Sequence, residues 1–112
     1  MPYAHQTIWI NQREAALSEI ISGSAASFSG FETETLSFIK KWLSGNQNFT
    51  LKTSGSTGAP KEIILTRDQL ITSAARTISK LKLSEKNTAL VCLDTHYIAG
   101  KMMLVRALEA TM

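Results

Sequence analysis

The chain of 112 residues has a single cysteine, Cys92, so no disulfide can form within it, and that thiol lies inside an apolar run. Such sparse cysteine suits a reducing compartment, and the cytoplasm is the expected location. No apolar run approaches the ~20 residues that span a bilayer. Met1 to Gln6 lacks the charged-then-apolar layout of a signal peptide. Charge of one sign is scarce too: 12 Lys and Arg stand against 9 Asp and Glu, a net +3 with no basic cluster. Nucleic acid is therefore not an expected partner. Internal repeats and low-complexity tracts are also missing. What remains is an ordinary globular composition at a length suited to one small domain, burying somewhat under ~70% of its unfolded surface.

Hydrophobic patterning gives the order of elements. Thr7 to Ile10 is β-branched and aromatic, as in a short strand. Asn11 with Glu14 three places on reads as a helix start, and Ala16, Leu17, Ile20 and Ile21 then share one helical face. Residues 22–30 form a Ser/Gly/Ala connector. A second helix is expected from about Ser29, with Glu32 at the reach-back position and Leu36, Phe38, Ile39, Trp42 and Leu43 as its apolar stripe. Lys40 and Lys41 suit its last turns, Gly45 suits its end, and Trp42 is expected in the core. Thr66 and Gln69 form a further capping pair, before Leu70, Ile71, Ala74, Ala75, Ile78 and Leu81 at helical spacing. Ala89 to Leu93 is an uninterrupted apolar run, which suits a strand covered on both faces. Asp94, Thr95, His96 and Tyr97 emerge at its carboxyl end, where open α/β sheets bind ligands. Ala99 to Ala110 is apolar nearly all round, as in a buried helix. The expected class is α/β, a partial layered sheet with flanking helices.

One stretch carries chemistry. Lys52-Thr53-Ser54-Gly55-Ser56-Thr57-Gly58-Ala59-Pro60-Lys61 lies between two apolar runs, Phe49 to Leu51 and Ile63 to Leu65, that read as short strands. Gly55 and Gly58 allow close approach of a ligand to the main chain. Successive N–H groups in such a turn make an anion-binding nest, and Ser54, Ser56 and Thr57 add hydroxyls. Pro60 biases Ala59 toward an extended exit, and Lys61 adds a mobile cation. The order differs from the Walker loop, since Pro60 stands where its second glycine belongs and Glu62 where Ser or Thr would follow the lysine. A Gly-x-x-Gly nucleic-acid clamp through Gly55 and Gly58 lacks its helical flanks. A flexible Ser/Gly linker is the bland alternative.

At nine consecutive positions, Thr53 to Lys61, the stretch resembles the T-S-G-[ST]-T-G-x-P-K phosphate loop of the adenylate-forming (AMP-binding) superfamily, with Glu62 departing from the glycine that often follows. Within that superfamily the segment from Lys52 to Leu108 looks like the o-succinylbenzoate–CoA ligases of menaquinone biosynthesis. Ser73-Ala74-Ala75-Arg76-Thr77, His96-Tyr97-Ile98-Ala99-Gly100-Lys101-Met102-Met103 and Arg106-Ala107-Leu108 carry that likeness. The resemblance implies a piece of the large N-terminal domain of such an enzyme, with 1–112 as one partial domain and 52–61 as its phosphate loop. It implies an acid–thiol ligase that forms an acyl-adenylate with ATP and magnesium and passes the acyl group to coenzyme A. It assigns nucleotide phosphates to Thr53, Ser54, Gly55, Ser56, Thr57, Gly58 and Lys61, magnesium to Thr57, and the acyl pocket to His96, the expected catalytic side chain.

Lys101 and Arg106 are candidates for the two carboxylates of a succinylbenzoate, although five residues place them ~140° apart on a helix. Arg106 could equally pair with Glu109 at i+3. Members of the superfamily are several times longer, so the chain is expected to be a fragment that is inactive alone. Two other classes stay open: a stand-alone nucleotide- or phosphate-binding module, and an interaction protein whose residues 54–60 are a linker. Self-association as a dimer is also expected, through an uncovered 89–93 strand edge and the apolar helix from Ala99.

Overall fold

A computed structural model of the chain describes residues 6–10, 13–22, 31–53 and 58–111. Strand β1 (Thr7–Ile10) pairs antiparallel with β2 (Arg13–Ala16), Thr7 opposite Ala16 and Ile10 opposite Arg13. The helix expected from Asn11 is therefore shorter, α1 (Leu17–Ser22), and Glu14 sits in a strand opposite Trp9. Pairing wins because Ala15 and Leu17 are both buried, a two-residue alternation that the helical reading missed. The Leu17 N–H extends the ladder to the Gln6 carbonyl at 3.1 Å.

Helix α2 (Phe31–Leu43) follows, and the proposed start at Ser29 lies outside the described residues. Gly45 takes φ +86°, and the Gly45 and Asn46 N–H groups donate to the Trp42 and Lys41 carbonyls at 3.2 Å each. That is a Schellman end, as the glycine's position implies. Trp42 is fully buried, with its ring centroid 5.5 Å from Phe49 and 6.3 Å from Phe38. Arg67 adds its guanidinium over the same indole, 4.0 Å from the centroid, and donates to the Trp42 and Asn46 carbonyls.

Strands β3 (Asn48–Lys52) and β4 (Glu62–Thr66) form an antiparallel hairpin, with Asn48 opposite Thr66 and Lys52 opposite Glu62. Phe49 and Leu51 point into the core while Ile64 on the outer face is exposed. Helix α3 (Arg67–Leu81) begins with a complete capping box between Thr66 and Gln69. Leu70 and Ala74 face inward, whereas Ala75 and Leu81, expected in the same stripe, are exposed. Helix α4 (Ile98–Glu109) buries Gly100, Lys101, Met102, Leu104, Val105 and Leu108. One core joins α4 to Ala15, Leu17, Phe38, Trp42, Phe49, Leu51, Leu70 and Ala74.

Two expectations need correction. Residues 89–93 form no strand, and both sheets among the described residues are two-stranded and antiparallel, so helices with small sheets are present as the α/β class implies but the layered sheet is not. An apolar run becomes a strand only when another strand supplies hydrogen bonds, and β1 with β2, and β3 with β4, pair with each other. Leu90 and Leu93 are exposed instead, as is Cys92. Helix α4, by contrast, is covered within the chain and not left as an open apolar surface.

Candidate functional site at the hairpin tip and the 94–97 turn

Residues 53–61 connect β3 to β4 in the chain. Register sets this position, since Lys52 opposite Glu62 is the last strand pair and the Thr53 N–H then donates to the Lys61 carbonyl at 2.9 Å. The Thr53 hydroxyl lies 3.5 Å from the same carbonyl. Gly58, Ala59, Pro60 and Lys61 are exposed. Ser54, Gly55, Ser56 and Thr57 lie outside the described residues. Thr53 and Lys61 are thus brought together at the neck of the loop. The Lys61 ammonium has no ion-pair partner among the described residues. On the outer face of α3, Ser73 and Arg76 line an open groove with Asp68, Gln69 and Thr72.

The second group surrounds His96. The Tyr97 N–H donates to the Asp94 carbonyl at 3.2 Å, closing a four-residue turn just before α4. One Asp94 carboxylate oxygen accepts from the His96 backbone N–H at 2.9 Å and lies 2.8 Å from His96 Nδ1. These contacts, the backbone one first, hold the Asp94 carboxyl below its usual range. Beneath the turn, the buried Lys101 ammonium donates to the Thr95 carbonyl at 2.7 Å and to Glu34 Oε1 at 2.8 Å. It also lies 5.8 Å from the Phe38 ring centroid. The hydrogen bond from Lys101 is the main reason the Glu34 carboxyl titrates below its usual 4.5, against the opposing effect of partial burial. Thr35 and Thr95 hydroxyls meet at 2.6 Å, adding a second tie from α2. Gly100 permits the contact: a Cβ there would lie 2.4 Å from the Asp94 carbonyl oxygen and 2.8 Å from the Thr95 nitrogen.

His96 and Lys101 therefore belong to one cluster, but on opposite sides of the turn: His96 is exposed and Lys101 is 6% exposed. The Lys101 ammonium spends two of its three N–H groups on Glu34 and Thr95. Arg106 is half-buried on the same helix, its Nε enclosed without a hydrogen-bond partner among the described residues. No hydrogen bond or ion pair among the described residues joins Thr53 or Lys61 to His96. Asp94, Glu34, Thr35 and Gly100 were not identified as site residues from the sequence. Only Asp94 left a local signal, an acidic residue two places before a histidine, where its side chain can turn back on the main chain.

Comparison with known proteins places this geometry. No family model matches the chain, and no curated protein does. Among solved structures, it is similar to an acyl-CoA synthetase (AMP-forming)/AMP-acid ligase II-like protein from Dyadobacter fermentans DSM 18053, with 46% sequence identity and a TM-score of 0.73. The match covers 80% of this chain and 26% of that one. At that identity the likeness is one of sequence as well as of fold, over about a quarter of that protein's length.

Proposed function

We propose that this chain forms part of an acid–thiol ligase that activates a carboxylate with ATP to an acyl-adenylate and transfers the acyl group to coenzyme A. The observation that carries the reading is the nine-residue stretch connecting the strands of a tightly registered hairpin, in a chain 46% identical to an AMP-forming acyl-CoA synthetase-like protein. The chain spans 26% of that protein. The share it carries in this reading is to grip phosphate and to place His96. In this reading Thr53 to Gly58 and Lys61 hold the nucleotide phosphates. Charge stabilisation of this kind, by N–H groups and a cation, dominates such transfers.

Among the described residues no group of three or more His, Cys, Asp or Glu side chains is gathered for a metal. Magnesium suits a site where nucleotide phosphates supply most ligands, and Thr57 is the side chain we assign to it. When bound, the ion supplies charge neutralisation at the phosphate oxygens. His96 lines the acyl pocket, and the carboxylate is o-succinylbenzoate on the strength of residues 96–103 and 106–108, which places the reaction in menaquinone biosynthesis. Arg106 is the candidate for a substrate carboxylate. Lys101 is assigned to holding the turn, because Glu34 and Thr95 already occupy its ammonium.

Calorimetry of the 112-residue chain with ATP or pyrophosphate tests the loop. Millimolar affinity is expected, equivalent to ~4 kcal/mol, with a loss of about tenfold in Lys61→Ala. No heat at several millimolar ligand, together with rapid proteolysis inside residues 54–60, would favour the linker reading instead. Equal affinity in Lys61→Ala would remove that lysine from the site.

A further inference from the structure

We propose that Asp94 is a positioning residue for His96: its carboxylate holds the imidazole in the Nδ1–H form and so presents Nε2 to the ligand. The inference rests on reading His96 as the residue that faces the acyl group. Its geometry stands on the chain's own contacts. An ionised carboxylate only accepts hydrogen bonds, so at 2.8 Å from Asp94 the Nδ1 atom must carry the proton. The other nitrogen, Nε2, then holds the lone pair of the neutral ring, and it has no partner among the described residues. A neutral ring in this state accepts a proton or hydrogen bond at Nε2. A charged ring donates from Nε2 to a carboxylate or phosphate oxygen. Either way one ring atom meets the ligand, and Asp94 decides which.

The pair is exposed, and exposed ion pairs usually wander. This one is anchored from below. The same carboxylate oxygen takes the His96 backbone N–H, so the aspartate cannot swing away without giving up that bond as well. The turn is pinned in turn by Lys101 on the Thr95 carbonyl, by Thr35 on the Thr95 hydroxyl, and by contact of its backbone with Gly100. Glu34 completes the set by neutralising Lys101. Two helices distant in sequence thus hold a four-residue turn whose one outward product is the aim of an imidazole.

Nitrogen-15 spectra of the histidine rings in the 112-residue chain test this, recorded at a pH where the imidazole is neutral. The wild-type chain is expected to show His96 with Nδ1 protonated. Asp94→Ala is expected to revert to the Nε2–H form that an unconstrained histidine side chain prefers, with amide spectra elsewhere unchanged. Asp94→Asn can keep the backbone bond through its amide oxygen, and it separates turn from charge: the amides of the turn should stay while the Nδ1–H preference weakens. Should Asp94→Ala fail to fold, the Asn variant still decides. A wild-type His96 in the Nε2–H form, or an Nδ1–H form unchanged in both variants, would overturn the proposal. Neither result depends on nucleotide binding, so a failed ligase reading and a failed positioning role can be told apart.

Discussion

Lys101 is a buried cation, and its two partners differ in what they can tolerate. Removing Glu34 leaves the ammonium enclosed with the Thr95 carbonyl, at 2.7 Å, as its remaining acceptor among the described residues. Removing Lys101 leaves Glu34, whose side chain is 40% exposed and can recover water. Glu34→Ala is therefore expected to cost about 2–3 kcal/mol, and Lys101→Met, which keeps an apolar stem near Phe38, about 1 kcal/mol. Denaturant midpoints of the two variants give the comparison, and a greater loss in Lys101→Met would contradict it. The pair also predicts acid sensitivity. Because Lys101 depresses the folded-state titration of Glu34 below 4.5, its stabilisation is fully present above that pH and disappears as pH falls through the depressed value. The stability gap between wild type and Lys101→Met should shrink over that acidic range and stay constant near neutrality. Gly100 sets a harder limit. A methyl group 2.4 Å from a backbone oxygen has no flexible neighbour to move, so Gly100→Ala should cost about 2–3 kcal/mol and shift the amide signals of residues 94–97.

Helix ends are the elements where local rules are most exposed to test. Both α2 and α3 close with Schellman hydrogen bonds, but with different residues in the left-handed position. Gly45 occupies it after α2, while Lys82, at φ 55° and ψ 46°, occupies it after α3, with Lys82 and Leu83 N–H groups bonded to the Ser79 and Ile78 carbonyls. A side chain in that conformation costs ~1–2 kcal/mol, partly offset in a comparison with glycine by the looser unfolded chain that glycine brings. Lys82→Gly is accordingly expected to stabilise the protein by about 0.5–1 kcal/mol. At the other end of α3, Thr66→Ala removes the capping hydroxyl from Gln69 N–H and should destabilise by about 1 kcal/mol. Thermal melts of the two variants should move in opposite directions, and a shared direction would mean that packing, not the caps, governs α3.

At the scale of the molecule, the radius of gyration is 13.8 Å, close to the ~13 Å of a compact chain this long. Helix α4 packs mainly against α3 and also against α2, and it shares one core with residues of β2, α1 and β3. The Gln6 side chain even donates to the Ala107 carbonyl, 101 residues away, at 3.3 Å. Trp9, Ile64 and Leu81 are exposed elsewhere, and in residues 89–93 this arrangement leaves Leu90 81% and Leu93 50% exposed while Val91 packs against the core. Self-association of the 112-residue chain is thus expected to run through that segment rather than through α4. Light scattering should give a mass that rises with concentration above the 12.3 kDa of one chain. A double substitution of Leu90 and Leu93 by Glu should suppress the rise. A sharp single-chain mass at high concentration in the wild type would remove self-association.

Much of this protein was legible along the chain because the relevant physics spans only a few residues. The Thr66 and Gln69 capping pair, the glycine after α2, the inward face of α2 with Trp42, and the two strands around the loop each depend on neighbours within a turn or a hairpin. The loop motif was legible for the same reason, being nine consecutive residues. Other features depended on what lay opposite in space. Residues 13–16 pattern acceptably as helix, and only the presence of β1 made them a strand. Residues 89–93 have every intrinsic quality of a strand, but a strand is a hydrogen-bonded relation to another strand, and among the described residues none pairs with them. From the sequence Lys101 is a candidate, with Arg106, for a substrate carboxylate; its bond to Glu34, 67 residues earlier, could not be read there. The Thr66 and Gln69 cap, the glycine end of α2 and the inward face of α2 were settled by the sequence itself, whereas the Asn11 and Glu14 pair was not. Pairing partners and the neutralisation of a buried charge were settled only by tertiary structure, because each requires a group that the chain brings near by folding.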